Sequence, residues 1–568
     1  MAMNRLLYIS LAVVALLVIS GREPLSAQQG NVDIVTAYDP DIESASKLLA
    51  PITLIDDAWS EHKIKYNIES SLWQIELDAH LFKPARANFT DDILSTSYEH
   101  FFAKAALGYP LGSDLALRYA IQEAKRGYIG VGVDHDGDFQ PRLSAAGQKR
   151  TIANSFAMHN RVLLNGGVFI GESRQRMLEA AIIYDNDLFN GYAMTSPERL
   201  MFHDANVALR FGDDFIDLSH LNFVVDVDGG VWAHRMPASD KAATEGRASA
   251  SLKMARQFGK NRVDANVDFS LWQGGKQLNY RDIRFGFGGD YSRRFGFVTL
   301  EAGVGYTFDK IKMQDKAKHY VLPRAKVMFD LEKASFVPYV EVNSTIGNNG
   351  PSSLYGMNPY IDNAAMADKL CNMRNSFSYN LSLGFTGTVL KSRLSYQVYA
   401  GANFMQSHLF WYLTAPGMFG VTTANNSRIF VGAGVKALPV TGLEMSFDFY
   451  YHFDDNNSKY LLSDPSLRSM VDVRYTLSRW SFYINGDLCG KRAWSITYTL
   501  TDEEGMEQPT EFSKPLTFDL GAGLSYRLGC GVELFVSGEN LLNNKFLYDF
   551  AHYYKPGAGF MVGAKIDF

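Results

Sequence analysis

The sequence predicts an all-β protein, a transmembrane antiparallel β-barrel of about 22 strands. Three observations predict it: an export leader with no transmembrane helix after it, long strands that alternate apolar with small or polar residues, and a strand ending on an aromatic residue at the C-terminus.

Taken in chain order, residues 1–27 read as a secretory signal peptide. Arg5 precedes an apolar run from Leu6 to Ser20, and the more polar stretch after it contains the small pair Ser26-Ala27, so cleavage is expected after Ala27. The run is too short for a membrane anchor, because a helix needs about 20 apolar residues to cross hydrocarbon. Beyond residue 30 no apolar stretch of about 18 residues occurs, so a mature membrane protein would have to cross with strands. Residues 28–61 are expected to form an extended N-terminal periplasmic segment and residues 62–568 the barrel.

Val298, Leu300, Ala302, Val304, Tyr306 and Phe308 alternate with Thr299, Glu301, Gly303 and Gly305. That pattern puts lipid on one side and a wet lumen on the other. It returns at Leu443–Tyr451, at Leu516–Tyr526 and at Ile429–Val435. Soluble sandwich strands average about five or six residues, whereas tilted membrane strands need about 9 to 11, and these runs belong to the longer class. Residues 190–240 are the hardest to divide, because Pro197 and the Asp213-Asp214 pair blur the strand limits. The chain closes on Phe560, Val562, Ala564, Ile566 and Phe568, a period-2 strand suited to pairing with the first and resembling the insertion signal that the barrel-assembly machinery reads.

Composition agrees. The 38 Phe, 30 Tyr and 7 Trp exceed what a soluble core uses and suit the two interfacial girdles of a membrane barrel. No Pro/Ser-rich linker or charge block divides the chain, so one domain is expected. A net charge of -6 without a Lys/Arg run excludes nucleic acid as a partner. Cys371, Cys489 and Cys530 are too few for a disulfide framework and lack CxxC spacing.

Near the C-terminus, Val536-Ser537-Gly538-Glu539-Asn540-Leu541-Leu542-Asn543-Asn544-Lys545-Phe546, then Tyr553-Tyr554-Lys555-Pro556-Gly557 and the final strand, resemble the last hairpin of TonB-dependent receptors. Ala558 and Gly559 stand where that family usually continues with arginine. The family also carries an N-terminal plug of more than a hundred residues, for which the sequence before the first strands leaves no room. The resemblance is therefore to a plug-less barrel relative of the kind frequent in Bacteroidetes, and it implies transport. Val32-Asp33-Ile34-Val35-Thr36-Ala37 is similar to a TonB box, an extended segment that adds a strand to a partner's sheet; the other reading is an extended peptide, Tyr38 to Pro51, lying in the barrel mouth or against a periplasmic partner.

Asp134, Asp136 and Asp138, in Asp134-His135-Asp136-Gly137-Asp138, offer three carboxylates to Ca²⁺, while an acidic hairpin tip fits the same residues. Asp226-Val227-Asp228-Gly229-Gly230 reads the same way. No Gly-x-Ser-x-Gly nucleophile and no His pair at metal spacing occurs, so neither an enzyme nor a cofactor is expected. The long connections Gly347–Leu370 and Met405–Asn426 are the candidate functional loops. Within the second, His408-Leu409-Phe410-Trp411-Tyr412 either folds into the lumen, touches a partner or extends a strand. The leading expectation is a non-enzymatic subunit of a larger outer-membrane complex for transport or protein assembly. It would be set in outer-membrane lipid and lipopolysaccharide and joined to other outer-membrane proteins or lipoproteins. A TonB-dependent-type uptake channel and a passive porin are the alternatives.

Overall fold

The computed structural model describes residues 97–568 apart from short breaks at 124–125, 140, 145–150, 172–175, 195–197, 236–241, 330–334, 367–368, 391–392, 455–463, 499–510, 530, 545–549 and 554–556. The expected signal peptide, the Val32–Ala37 segment and the start of the barrel at residue 62 lie outside the described residues; the first described strand is Ser97–Tyr109.

The alternating runs form strands as expected. Val298–Ile311, Met418–Ala437, Leu443–Asp454, Thr517–Arg527 and Gly559–Asp567 take up the predicted runs, with Leu516 and Phe568 one residue outside their strands. Each strand pairs antiparallel with its neighbour, and Ser97–Tyr109 pairs with both Gly112–Glu123 and Gly559–Asp567, which closes a ring of 22 strands. Closure leaves no edge and satisfies the backbone internally, the condition for crossing hydrocarbon.

The two rims differ. On the rim that holds Ser97 and Phe568, connections such as Gly259-Lys260, Gly296-Phe297 and Ser478-Arg479 are tight turns. The opposite rim carries the long connections 139–156, 347–376, 490–516 and 540–558, two of which hold small hairpins, Pro141–Ser144 with Thr151–Asn154 and Arg492–Ser495 with Glu511–Lys514. Short turns face the periplasm in such barrels, so the long connections are extracellular.

The wall has two chemistries. Outward-pointing Leu117, Val131, Leu164, Ile182, Val207, Leu209, Val231 and Phe287 are exposed and form the apolar belt. Inward-pointing residues pair charges across neighbouring strands, Arg118 with Asp134 at 2.8 Å, Arg161 with Asp185 at 2.6 Å and Lys326 with Glu341 at 3.1 Å, and Arg324 reaches Asp290 at 2.9 Å across the strand between them, Val298–Ile311. The barrel is thus one of the Gram-negative outer membrane, apolar outside and hydrated inside. Val207→Arg, in the middle of Arg199–Gly212, is expected to destabilise the folded barrel by about 2–4 kcal/mol. Ala208→Arg, one residue along and in register with Asp228 on the wet side, is expected to be tolerated. Urea unfolding in lipid vesicles checks both.

Two placements depart from expectation. Asp134–Asp138 is not a hairpin tip but the end of the strand Gly127–Asp138, and Asp226–Gly230 lies within Asn222–Arg235. In a water-filled lumen an acidic run continues the wet face of a strand and is no turn signal. Met405–Asn426 is not a loop either. It forms the outer part of two long strands, Leu394–Ala415 and Met418–Ala437, that run past the others and turn at Pro416-Gly417.

Candidate functional site

That long hairpin extends a strand, as one reading of His408–Tyr412 had it, and its outer part is the centre of a packed cap. Register shifts between Met405 and His408 and between Leu413 and Ala415, with Ser407 at φ 53°, break the regular ladder along the outer part. Leu413, Phe419 and Val421 are wholly buried there. Three other connections hydrogen-bond to its backbone. Phe419 N–H donates to Tyr360 O at 3.0 Å and Asp362 N–H to Phe419 O at 2.8 Å, while Thr497 N–H donates to Leu413 O at 3.0 Å. From the last connection, the Tyr553 hydroxyl donates to Gly417 O at 2.8 Å. Gly417, at φ 68°, packs against the backbone of Ala193, so the turn needs both glycine's left-handed conformation and its missing side chain.

The largest piece of the cap is the connection 347–376. Pro351 starts helix α1, Pro351–Met357, where proline's missing N–H costs nothing. Asp362 starts helix α2, Asn363–Met366, by accepting from Ala364 N–H and Ala365 N–H at 3.0 and 3.1 Å. These turns bury Leu354, Ile361, Met366 and Leu370. Tyr360 stacks on Tyr553 with ring centroids 3.6 Å apart, and Tyr355 lies against Trp232 and His234. Burial holds the Tyr355 and Tyr553 phenols above their ordinary pKa, with the Asp362 charge adding to the effect at Tyr355, so both remain hydrogen-bond donors.

Buried polar groups fasten this connection to the wall. Glu245, fully buried on Ala242–Phe258, accepts from the Ser352 hydroxyl at 2.5 Å. The Asn375 amide donates to Asp282 at 2.8 Å and to both Asp309 oxygens at 3.1 Å, while its oxygen accepts from Asn349 N–H at 2.9 Å. Arg284 donates to Gly347 O at 3.1 Å and Gly347 N–H to Ser376 O at 2.8 Å. Removing one member of such a set leaves a buried partner without its bond, at about 1–3 kcal/mol each.

Between the cap and the wall lies a cavity of about 1300 Å³. Its aromatic surface comes from Phe189, Trp232, Trp272, Tyr355, Trp411 and Trp494, and its charged surface includes Asp185, Asp204, Arg247, Arg428 and Arg468. Most of these charges are paired: Arg428 with Asp454 at 2.8 Å and with Asp464 at 3.3 Å, Arg468 with Asp487 at 3.2 Å, and Arg247 with Asp204. Flat aromatic walls beside charged groups held in pairs are a lining able to take up a polar small molecule.

Of the residues flagged in the sequence, Gly347–Leu370 is brought into the cap and Met405–Asn426 forms its centre. Asp134, Asp136 and Asp138 stand on the lumen face of their strand, where Asp134 is already paired with Arg118. Among the described residues no group of three or more His, Cys, Asp or Glu is placed to hold a metal ion. Phe560, Val562 and Phe568 face outward in the closing strand, which pairs in register from Tyr109–Phe560 to Phe102–Asp567. Glu245 and Asn375 carried no motif, and Tyr553 of the C-terminal hairpin gave no sign of its contact with Gly417.

A closed antiparallel ring of 22 strands, with a cap and a cavity toward its extracellular rim, defines a class, the large outer-membrane β-barrel. No family model and no curated protein matches the sequence. Solved structures do. The FrpB iron transporter from Neisseria meningitidis aligns with TM-score 0.63 at 10% identity, over 83% of this chain and 81% of that one. The copper transporter OprC gives 0.62 at 12%, over 84% and 82%. The ferripyoverdine receptor of the outer membrane of Pseudomonas aeruginosa, bound to ferripyoverdine, gives 0.60 at 12%, over 84% and 72%.

Proposed function

We propose that this chain is a non-enzymatic uptake channel of the TonB-dependent type that binds a small nutrient in the cavity beneath its cap. The observation that carries the reading is the cavity itself, built from aromatic and paired polar groups beneath a packed cap. The fold's likeness to iron and copper transporters and to a siderophore receptor supports uptake over a subunit of a larger complex, the leading expectation from sequence. The packed cap, which an open porin has no use for, favours a gated channel as well.

In this reading Val32–Ala37 engages an energising partner by strand addition, which depends on backbone N–H groups. Val32→Pro with Val35→Pro removes two of them. In a deletion strain limited for iron or for copper, the wild-type gene is expected to restore growth and the double variant to restore none, at equal amounts in the outer membrane. Equal rescue by both would dismiss the energised segment. No rescue by the wild type, together with a purified particle holding other barrels or lipoproteins in fixed stoichiometry, would replace the uptake reading with the complex-subunit one.

A further inference from the structure

The barrel wall is not laddered evenly. The strands Lys318–Phe329 and Val337–Ile346 share four residue pairs, from Ala325–Val342 to Met328–Tyr339, whereas every other seam of the ring carries at least six. Those four lie toward the periplasm. In the outer half, Lys318 to Arg324 have no ladder partner on that side among the described residues. Pro323 accounts for the interruption, since its ring removes the donor a ladder needs, and beyond Ile346 the neighbouring chain turns inward to become the cap.

Side chains close what the backbone leaves open. The Ser344 hydroxyl donates to Pro323 O at 2.9 Å, the Tyr379 hydroxyl to Val321 O at 3.4 Å, and Lys318 Nζ to Gln406 Oε1 at 3.2 Å. Tyr320 packs on Phe377 at 4.8 Å, and Phe377 packs edge-on to Tyr379 at 4.6 Å. The buried Tyr320 hydroxyl has no hydrogen-bond partner. On one side of this aromatic group Val321 is exposed in the lipid belt; on the other, Thr345, Phe377 and Ser378 line the cavity. Cavity and outer leaflet are therefore separated here by rotatable side chains instead of a hydrogen-bonded wall.

We propose that this seam is a lateral gate, and that the cavity exchanges an acylated amphiphile with the outer leaflet through it. The ligand class follows from the route. An acyl chain can rest in the belt beside Val321, and a polar head attached to it suits the charged and hydrogen-bonding lining of the cavity. The proposal uses the cavity of the uptake reading but not its energised segment, so the two fail separately.

The test uses the full-length protein in nanodiscs containing phosphatidylethanolamine with a diazirine on its acyl chain, with photo-adducts mapped by mass spectrometry. Adducts are expected on lumen-side Thr345, Ser378 and Tyr355 as well as on lipid-facing Val321 and Leu383. A disulfide joining Pro323→Cys to Ser344→Cys is expected to cut the lumen-side adducts several-fold, with recovery on reduction of the same sample. A control staple on the laddered side of the same strand, Ala302→Cys with Ala325→Cys, which are paired in register, is expected to leave them unchanged. Tyr320→Ala is expected to raise them. Lumen-side adducts absent from the wild type, or undiminished by the oxidised staple, overturn the gate, whatever the growth assay shows.

Discussion

Replacing residues 350–373 with a short Gly-Ser linker is expected to convert the closed barrel into a conducting pore. The segment is not part of the wall, because the 22-strand ladder leaves it out entirely. Its ends are already close, since Asn349 N–H donates to the Asn375 side chain at 2.9 Å, so a short linker spans them without moving a strand. What the deletion removes is the middle of the cap: Leu354, Ile361, Met366 and Leu370, each at most 2% exposed, together with the Ser352 bond to Glu245. Truncating one buried aliphatic side chain of this kind costs about 2–5 kcal/mol, and the deletion removes all of these at once. A barrel of about 22 strands without a filling encloses a wide aqueous lumen. Planar-bilayer recordings are expected to show a silent wild type and large ohmic steps for the deletion. Tyr553→Ala, which loses the stack on Tyr360 and the bond to Gly417 but keeps the rest, is expected to give only brief openings. A deletion variant that inserts normally and stays silent would place closure elsewhere than the cap.

How much of this was legible depended on whether a residue's role is periodic. Val298–Ile311 and Thr517–Arg527 were readable because lipid on one side and water on the other impose a two-residue repeat. The same logic misled at Asp134–Asp138, where three carboxylates on the wet side of a strand resemble a turn by composition. Met405–Asn426 lost its repeat because both faces of the hairpin are covered, with Leu413, Phe419 and Val421 all buried in the cap, and because bulges shift the register. The cap joins connections from across the chain, so no local pattern announces it. Gly347–Leu370 stood out only as a long connection rich in glycine, proline and aromatics. Glu245 and Asn375 are single polar residues whose importance comes from total burial against a distant partner, a relation that spacing does not encode. The sparse seam carries a readable mark, Pro323 inside a strand, because proline inside a closed sheet interrupts a ladder wherever it falls.

Deleting Phe568 is expected to deplete the protein from the outer membrane far more than its contacts would suggest. The terminal residue closes the ring against the first strand: Phe568 N–H donates to Phe101 O at 3.0 Å, Phe101 N–H donates to Phe568 O at 2.9 Å, and the two rings stack at 5.9 Å. Two net hydrogen bonds and an aromatic pair amount to about 2–4 kcal/mol, a loss that a ring of 22 paired strands absorbs with little change in melting temperature. If Phe568 acts only as a closing contact, the deletion should therefore assemble almost normally, and Phe568→Ala, which keeps both backbone bonds, should be indistinguishable from wild type. If the aromatic end is also read during insertion, as the Phe560, Val562, Ala564, Ile566 and Phe568 pattern implies, both variants should fall about tenfold in outer-membrane content, a drop that 2–4 kcal/mol of closing energy would not cause in a barrel this extensively paired. Quantitative immunoblots of outer-membrane fractions, with the heat-modifiable mobility of whatever protein has inserted, separate the outcomes. Wild-type levels of Phe568→Ala would reduce the terminal ring to a packing contact. A tenfold fall with unchanged mobility of the remainder would show that the side chain acts before the barrel exists, when no contact with Phe101 has yet formed.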